Sequence, residues 1–443
     1  ANFVNSLTGK VAGLQINSSS SGIGGSTKVV MRGVKSISKS NNVLYVVDGV
    51  PLNNTNGGDV EKNQGFYTAA PKGEGIADFN PEDIESMSVL TGPAAAALYG
   101  SNAANGAILI TTKKGAAGKP KITLSHNTDF SNPFVTPRFQ NTYGNKPGEF
   151  SSWGDKLATP SSYDPLNFFR TGYNTTTALS ISLGNEKNQT FASASSTTAE
   201  GIIPNNEYQR YNFTVRNTSN FFNDRMTLDL GFSYVIQKDQ NMLSQGQYFN
   251  PIVPLYLFPR GEDFTPYRMY ERYDEGRQLM TQHWPYGEMG MAMQNPYWII
   301  NRNMFNNDRD RYMANAGLKY KVFDWMDISG RVRIDNANTR HTKKLYASTD
   351  AKFAQSKGYY GDRKDVDKQL YADFLVNINK RFNDFDLTAN VGASIQDVSM
   401  DYVGAEGQLS MIPNFFTLHN VDLGANNSRI KQDGWKEQTQ SVF

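Results

Sequence analysis

Apolar and polar residues alternate along several stretches of the chain after about residue 119. The clearest stretch places six apolar side chains on one face: Met226, Leu228, Leu230, Phe232, Tyr234 and Ile236. Similar patterns occupy 326–335, 370–378 and 385–395, and a weaker one begins at Leu179. Because successive side chains of a β-strand point to opposite faces, this period of two predicts β-strands that are apolar on one face only.

The length of these stretches separates two kinds of β protein. A strand of about eleven residues at about 3.3 Å each, tilted by about 45°, rises about 25 Å, the height of the apolar band of an outer-membrane barrel. Strands of soluble β-sandwiches are usually shorter, about five or six residues. We therefore predict a mainly β fold, a transmembrane antiparallel β-barrel over residues 118–443 with roughly nine strands, and keep a soluble β domain as the alternative.

The predicted connections between strands alternate in length. Short turns are predicted at 184–188, 222–225, 322–325 and 382–385, long loops at about 131–171, 238–309 and 340–366, and a modest link near 200–207. The tight turns are bordered by aromatic residues: Phe221, Phe222, Phe323, Trp325, Phe382 and Phe385. Tight periplasmic turns, long outer loops and interfacial aromatic residues are typical of outer-membrane barrels.

Residues 1–117 have a different pattern, which predicts a small mixed α/β domain. Asn80 and Pro81 can begin a helix, and Gly92-Pro93 begins a second helix that ends at Gly100. Strands are predicted at 28–33, 42–47, 86–91 and 106–113, with a turn at 48–51 and a loop at 53–75. A helix start explains Glu82 and Asp83, and a turn explains Asp48 and Gly49. These local signals alone also fit a generic small α/β domain, so they name no function.

Composition excludes several classes of function. The net charge of +2 gives no field that would attract nucleic acid, and the absence of cysteine removes disulfides and thiolate chemistry.

The chain contains no run of about 18 apolar residues, so the sequence predicts no transmembrane helix. The chain opens at Ala1 without a signal peptide, so we expect the N-terminus of the protein to lie outside this sequence. No phosphate-binding loop or His-Glu-x-x-His motif is present and the four histidines lie far apart, so we predict no enzyme activity, cofactor or metal site.

One run of the sequence closely resembles a known family. NPEDIESMSVLTGPAAAALYGSNAANGAILITTKKG, at Asn80–Gly115, resembles the plug signature of the SusC/RagA family of TonB-dependent outer-membrane transporters. VVMRGVKSI at Val29–Ile37 and NVLYVVDGVPL at Asn42–Leu52 agree with it in the same order. The resemblance covers nearly all of the first domain, whereas the later strands fit the family's barrel only in their pattern.

This resemblance implies a plug domain, residues 1–117, inside a 22-stranded barrel of the plugged outer-membrane type. Members of the family are roughly twice this long, so a TonB-contacting segment and further barrel strands are expected outside this chain. The resemblance also implies TonB-dependent import across the outer membrane of a Gram-negative bacterium. The expected partners are TonB, a SusD-like lipoprotein that forms a lid, the lipid bilayer and an oligosaccharide or oligopeptide substrate, and transporter–lid pairs are expected to dimerise.

Three alternatives to this function stay open at the sequence level. The first has the same fold and is a siderophore or cobalamin receptor. The second is a structural or secretion-associated barrel, and the third is a soluble carbohydrate-binding β protein.

The candidate functional residues fall into two groups. Arg32 matches a position that, in TonB-dependent transporters, pairs with acidic residues of the barrel, and the resemblance makes it a plug–barrel lock. Predicted ligand-binding residues lie on loops: Asn53, Asn54, Phe66 and Tyr67 above the plug, and Trp284 and Tyr286 in the long outer loop. Aromatic faces and amide groups suit sugar rings or peptide backbones, although simple loop packing also explains each of these residues.

Overall fold

The structure, a computed structural model, describes residues 3–18, 22, 24–36, 41–53, 75–147, 149, 152–244, 246–286, 294–424 and 429–442. Within these ranges no helix has both the length and the apolar character that a membrane crossing requires. The chain forms a small mixed α/β domain followed by one large antiparallel sheet, which confirms the predicted fold class.

The first domain is organised by a sheet of four strands: β3 (Leu44–Val47), β4 (Val50–Pro51), β5 (Ile84–Leu90) and β6 (Ala107–Thr112). They lie side by side in the order β4-β3-β6-β5. A separate pair, β1 (Leu14–Ser18) and β2 (Thr27–Met31), packs nearby, and α1 (Gly92–Tyr99) connects β5 to β6. Single 3₁₀ turns occupy Phe3–Leu7, Gly75–Asp78, Pro81–Asp83 and Ser101–Ala103.

The helix predicted after Asn80 is shorter than expected. Asn80 caps it by accepting a hydrogen bond from the Glu82 backbone N–H, but the helix is only the 3₁₀ turn Pro81–Asp83. Strand β5 then begins at Ile84, two residues before the predicted start, because its ladder with β6 reaches that residue through a bulge. The second helix, by contrast, runs from Gly92 to a stop at Gly100, as predicted.

The large sheet has ten strands, each paired with its neighbours in chain order. They are β7 (Gly118–Ser131), β8 (Gly172–Gly184), β9 (Asn188–Glu200), β10 (Glu207–Phe221), β11 (Met226–Gln240), β14 (Asn303–Phe323), β15 (Met326–Leu345), β16 (Tyr359–Phe382), β17 (Phe385–Gln408) and β18 (Arg429–Val442). The sequence predicted roughly nine strands, and β18 lies outside its alternating stretches because polar residues occupy both of its faces. The edges β7 and β18 do not pair with each other over the described residues.

Each face of the large sheet has a distinct character. The predicted apolar face is exposed, with Leu230, Phe232, Val332, Ile334 and Phe374 all about half accessible. The opposite face carries polar and charged side chains, many of them buried against the first domain. An exposed apolar face and a polar inner face are the arrangement of a barrel wall that faces lipid.

The four predicted tight turns are confirmed, and the aromatic residues Phe323 and Trp325 stack beside one of them with ring centroids 5.1 Å apart. The loops predicted at 238–309 and 340–366 are shorter, 241–302 and 346–358, because the strands continue as polar ladders past their apolar stretches. Loop 241–302 contains α2 (Ile252–Leu257), the hairpin β12 (Glu271–Asp274) and β13 (Leu279–Gln282), and α3 (Pro296–Arg302). Short 3₁₀ turns occur at Pro165–Phe168, Thr265–Arg268 and Leu418–Asn420.

Candidate functional site

The candidate site is the contact between the first domain, here called the plug (residues 1–117), and the ten-stranded sheet, here called the wall. Six wall arginines reach the plug or its rim: Arg210, Arg216, Arg309, Arg311, Arg331 and Arg333. Within each strand these arginines are separated by an even number of residues, so the period of two places them on the polar face. Their partners on the plug are two carboxylates and several backbone carbonyl groups.

Asp78 is the most deeply buried of these carboxylates. It has no solvent exposure and lies at the end of the 3₁₀ turn Gly75–Asp78. One of its oxygens, Oδ2, is 2.7 Å from Arg311 Nη1 and 3.2 Å from Arg309 Nη2. Arg311 also forms a bidentate ion pair with Asp335 of the wall, with Nε 2.8 Å from Oδ1 and Nη2 2.6 Å from Oδ2. The two arginines and two aspartates therefore balance in charge, as a buried cluster requires.

The backbone of the same turn is held by the wall as well. The carbonyl groups of Gly75, Ala77 and Asp78 accept hydrogen bonds from Arg311, Arg210 and Asn212, respectively. The last carbonyl groups of a short helix have no partner within the helix and must find one elsewhere. Here the wall supplies the donors, so the turn is completed only when the plug is seated.

A second cluster surrounds Asp48, which lies in the turn between β3 and β4. Asp48 and Gly49 both have left-handed backbone conformations, with φ of 51° and 80°, which confirms the predicted turn. The Asp48 carboxylate accepts hydrogen bonds from the Thr112 backbone N–H at 2.9 Å and the Thr112 hydroxyl at 2.7 Å. Its Oδ2 is also 3.1 Å from Arg216 Nη1. Arg216 Nε and Nη2 donate hydrogen bonds to the Asp229 carboxylate of the wall, at 2.9 and 2.7 Å. Asp48 therefore shapes a turn and also binds the wall.

The rim of this turn contacts two further arginines and a glutamine. Arg331 donates to the Asp48 carbonyl at 2.7 Å, and Arg333 donates to the Val47 carbonyl at 3.1 Å. A side chain at position 49 would collide with the Arg331 guanidinium, so glycine permits this close approach. Gln369 of the wall accepts from the Asn53 backbone N–H at 3.0 Å and donates to the Pro51 carbonyl at 2.7 Å.

Asp83 is, like Asp78, a buried plug carboxylate, but no arginine pairs with it over the described residues. It lies against Ser193 and Thr214 of the wall and accepts a hydrogen bond from Asn80 at 3.1 Å. Burial raises the pKa of Asp83 above its ordinary value of 3.8, and the neighbouring hydroxyl and amide groups only partly oppose this shift. The ionised form of Asp83 is therefore a cost to the seated plug.

Replacing Asp83 with asparagine should stabilise the seated plug at neutral pH. A raised folded-state pKa means that the contribution of Asp83 to stability is complete below pH 3.8 and is lost as the pH rises through the folded-state value. The gain in thermal midpoint of Asp83→Asn over wild type should therefore grow from acid to neutral pH and then level off. Thermal melts of the detergent-solubilised protein across this range check the trend, and a gain that is constant with pH would contradict it.

The predicted site residues have different fates. Arg32 is exposed with a left-handed backbone, and its described contacts include no ion pair to a wall carboxylate, so its role as a lock stays a prediction. Asn53 borders the plug–wall contact through its backbone. Asn54, Phe66 and Tyr67 lie outside the described residues. Trp284 and Tyr286 pack against Phe258, Phe264 and Tyr267 in an aromatic cluster within the outer loop, and ligand contact by either residue stays a prediction.

Sequence reasoning missed the wall arginines, which carry most of the contact. One signal could have found them. Arg309 and Arg311 are spaced by two residues, as are Arg331 and Arg333, so each pair lies on the strand face opposite the apolar residues. Charged side chains on that face must point away from lipid and toward the lumen. What the sequence does not show is which plug groups they meet.

Comparison with known proteins agrees with this architecture. Residues 1–107 match the family model of the TonB-dependent Receptor Plug Domain. The chain is 26% identical over 402 residues to the TonB-dependent receptor SusC of Bacteroides thetaiotaomicron, a match that covers 86% of this chain and 38% of SusC. It is also 26% identical over 440 residues to the TonB-dependent receptor P3 of Formosa agariphila, covering 95% of this chain and 39% of that protein.

Solved structures give the same fold. The RagAB peptide importer in its open-open state superposes with a TM-score of 0.72 at 19% identity, covering all of this chain and 50% of the matched chain. Another structure of the RagAB peptide transporter gives a TM-score of 0.73. The chain thus spans about two-fifths of the length of these curated relatives and half of the solved chains.

Proposed function

We propose that the protein to which this chain belongs, a SusC/RagA-type TonB-dependent receptor of the outer membrane, imports an oligomeric nutrient by releasing its plug from the barrel wall. The observation that carries this proposal is the set of ion pairs and hydrogen bonds that joins the plug to the wall. Polar contacts of this kind can be exchanged for water when the plug moves.

The apolar cores of the plug support the same proposal. Its larger buried cluster draws on residues between Val4 and Ile110, and its second cluster surrounds Ala95 and Ala103 beneath α1. As far as the structure describes them, both clusters consist of plug side chains alone. Moving the plug would therefore not open an apolar core, so the hydrophobic contribution to the plug's own stability is retained.

The buried arginines explain why such a plug would stay seated without an external force. Asp78 with Arg311 and Arg309, and Asp48 with Arg216, hold it at two points of the wall. Breaking one partner away from a buried pair is costly because the charge left behind remains desolvated. A pull from the periplasmic side by TonB would supply the work that thermal motion does not.

The substrate and partner parts of the proposal depend on relatives. RagAB is named a peptide importer, and SusC is named a TonB-dependent receptor. We infer an oligosaccharide or oligopeptide as the substrate and a SusD-like surface lipoprotein as the lid over the long outer loops. We also infer that two transporter–lid pairs associate as a dimer.

Deletion of the gene in its own bacterium tests this function. Growth and uptake should be lost on one class of defined oligomer, either glycans or peptides, and retained on the corresponding monomers. Complementation with the full-length gene should restore uptake, whereas complementation in a strain without TonB should not. Unchanged uptake of every oligomer would sink the proposal, and a defect confined to iron or cobalamin supply would favour the alternative receptor class.

A further inference from the structure

The two longest outer loops, 132–171 and 241–302, enclose a pocket whose lining includes no plug residue among those that the structure describes. Its volume is about 510 Å³, within the range of small-molecule sites. Tyr163, Phe168, Phe264 and Tyr297 supply aromatic lining, and Arg260 lies among them. We call this cavity the outer-loop pocket.

Arg260 is a buried arginine that lies away from the plug–wall contact. Only 4% of the residue is exposed, yet no carboxylate lies within ion-pair distance over the described residues. Its guanidinium carbon lies 5.1 Å from the Phe139 ring centroid and 5.0 Å from that of Tyr163. Among the residues that the structure describes, the guanidinium makes one hydrogen bond, from Nη1 to the Tyr163 carbonyl at 3.5 Å.

This surrounding leaves the guanidinium short of hydrogen-bond acceptors. Cation–π contacts use the flat faces of the group and leave its N–H edge for an acceptor. Burial lowers the pKa of Arg260, because a desolvated guanidinium is less stable in its charged form. A bound anion would remove this penalty and complete the hydrogen bonds.

The carboxylates that also line the pocket are already committed to the loop fold. Asp164 accepts from the Leu166 backbone N–H at 2.9 Å, and Asp263 accepts from that of Thr265 at 2.9 Å. Glu262 accepts from the Asn145 side chain at 2.9 Å. These three groups therefore stabilise turns and loop contacts, whereas the donors of Arg260 have no such task.

The ring beside Arg260 is held in place. The Tyr163 hydroxyl donates to the Leu255 carbonyl at 2.7 Å, and its ring centroid lies 5.2 Å from that of Phe258 and 5.1 Å from that of Phe264. Binding an acceptor at Arg260 thus requires little ordering of the site, which favours affinity.

We propose that the outer-loop pocket binds a carboxylate group of the incoming oligomer. The Arg260 guanidinium donates hydrogen bonds to this carboxylate, and the aromatic lining contacts the rest of the molecule. The carboxylate is either that of a uronic acid in an oligosaccharide or the C-terminus of an oligopeptide. This inference rests on the proposed function for its biological meaning, but binding can be measured without transport.

Calorimetric titration of the purified full-length protein tests the pocket with two matched pairs of probes. One pair is tetragalacturonate and its methyl ester, and the other is tetra-alanine and its C-terminal amide. At least one free acid should bind about 10- to 100-fold more tightly than its neutral partner, the difference typical of charge-assisted hydrogen bonds. Preference for the uronate identifies an acidic glycan, and preference for the peptide acid identifies an oligopeptide.

Variants connect this preference to the residue. Arg260→Gln should abolish the difference between acid and neutral probe, whereas Arg272→Gln, an exposed arginine of β12 outside the pocket lining, should leave it unchanged. The probe pairs on the wild-type protein decide the matter even if Arg260→Gln folds poorly. Equal binding of acid and neutral forms, or no binding of either acid, would overturn the proposal, while TonB-dependent uptake of neutral oligomers would still leave the proposed function standing.

Discussion

Asp78→Asn is expected to unseat the plug under conditions in which the wild-type plug stays bound. Asparagine has nearly the same shape but removes the negative charge, so the local balance of two arginines and two aspartates becomes a net positive charge. Arg311 keeps Asp335, but Arg309 loses its ion-pair partner while only 8% exposed. Leaving a buried charge without its partner typically costs about 3–5 kcal/mol.

The measurement is a urea titration of the full-length protein in detergent, with hydrogen exchange of residues 75–90 as the probe of the seated plug. Asp78→Asn should expose these amides at a much lower urea concentration, while the wall strands exchange as before. Arg309→Met in the same chain removes the stranded charge, so the double variant should recover much of the lost stability. Equal urea midpoints for Asp78→Asn and wild type would show that this ion pair does not seat the plug.

The sequence predicted the fold well wherever one physical signal acted alone. The apolar face of β11 and the tight turn at 222–225 are local features, and both are observed where the pattern placed them. Strand β18 was missed because neither of its faces is apolar, so a period of two leaves no trace in its residues. Loop lengths were overestimated for the same reason, since β14 and β15 extend as polar ladders.

The candidate site was harder to predict because its contacts join residues far apart in the sequence. Local rules identify Asp48 as a turn residue, and it is one, but they cannot show that Arg216 approaches it from 168 positions away. Asp78 precedes a helix-capping asparagine and has no local signature of its own. The family resemblance pointed to a plug arginine and wall carboxylates, whereas the ion pairs of Asp48 and Asp78 have the opposite polarity, with carboxylates on the plug and arginines on the wall.

Cross-linking the plug to the wall is expected to stop uptake almost completely. Gln369 hydrogen-bonds to the backbone at both Pro51 and Asn53, so the chain around residue 53 lies within side-chain reach of β16. The variant Asn53→Cys with Gln369→Cys places two thiols there, and this chain has no cysteine of its own to compete. A short bifunctional thiol reagent with a reducible spacer would then tether the plug. If transport requires the plug to leave this strand, uptake should fall to background and return after reduction.

The matched control uses the same wall position without restraining the plug. Gln369 and Val398 are paired residues of β16 and β17, so Gln369→Cys with Val398→Cys forms a cross-link within the wall alone. This control should transport normally before and after treatment, as should each single cysteine variant. Full uptake by the plug-to-wall cross-linked protein would mean that substrate passes while residues 51–53 stay against β16. The movement would then have to be confined to other parts of the plug, and the Asp78 and Asp48 clusters would have to release independently of that edge.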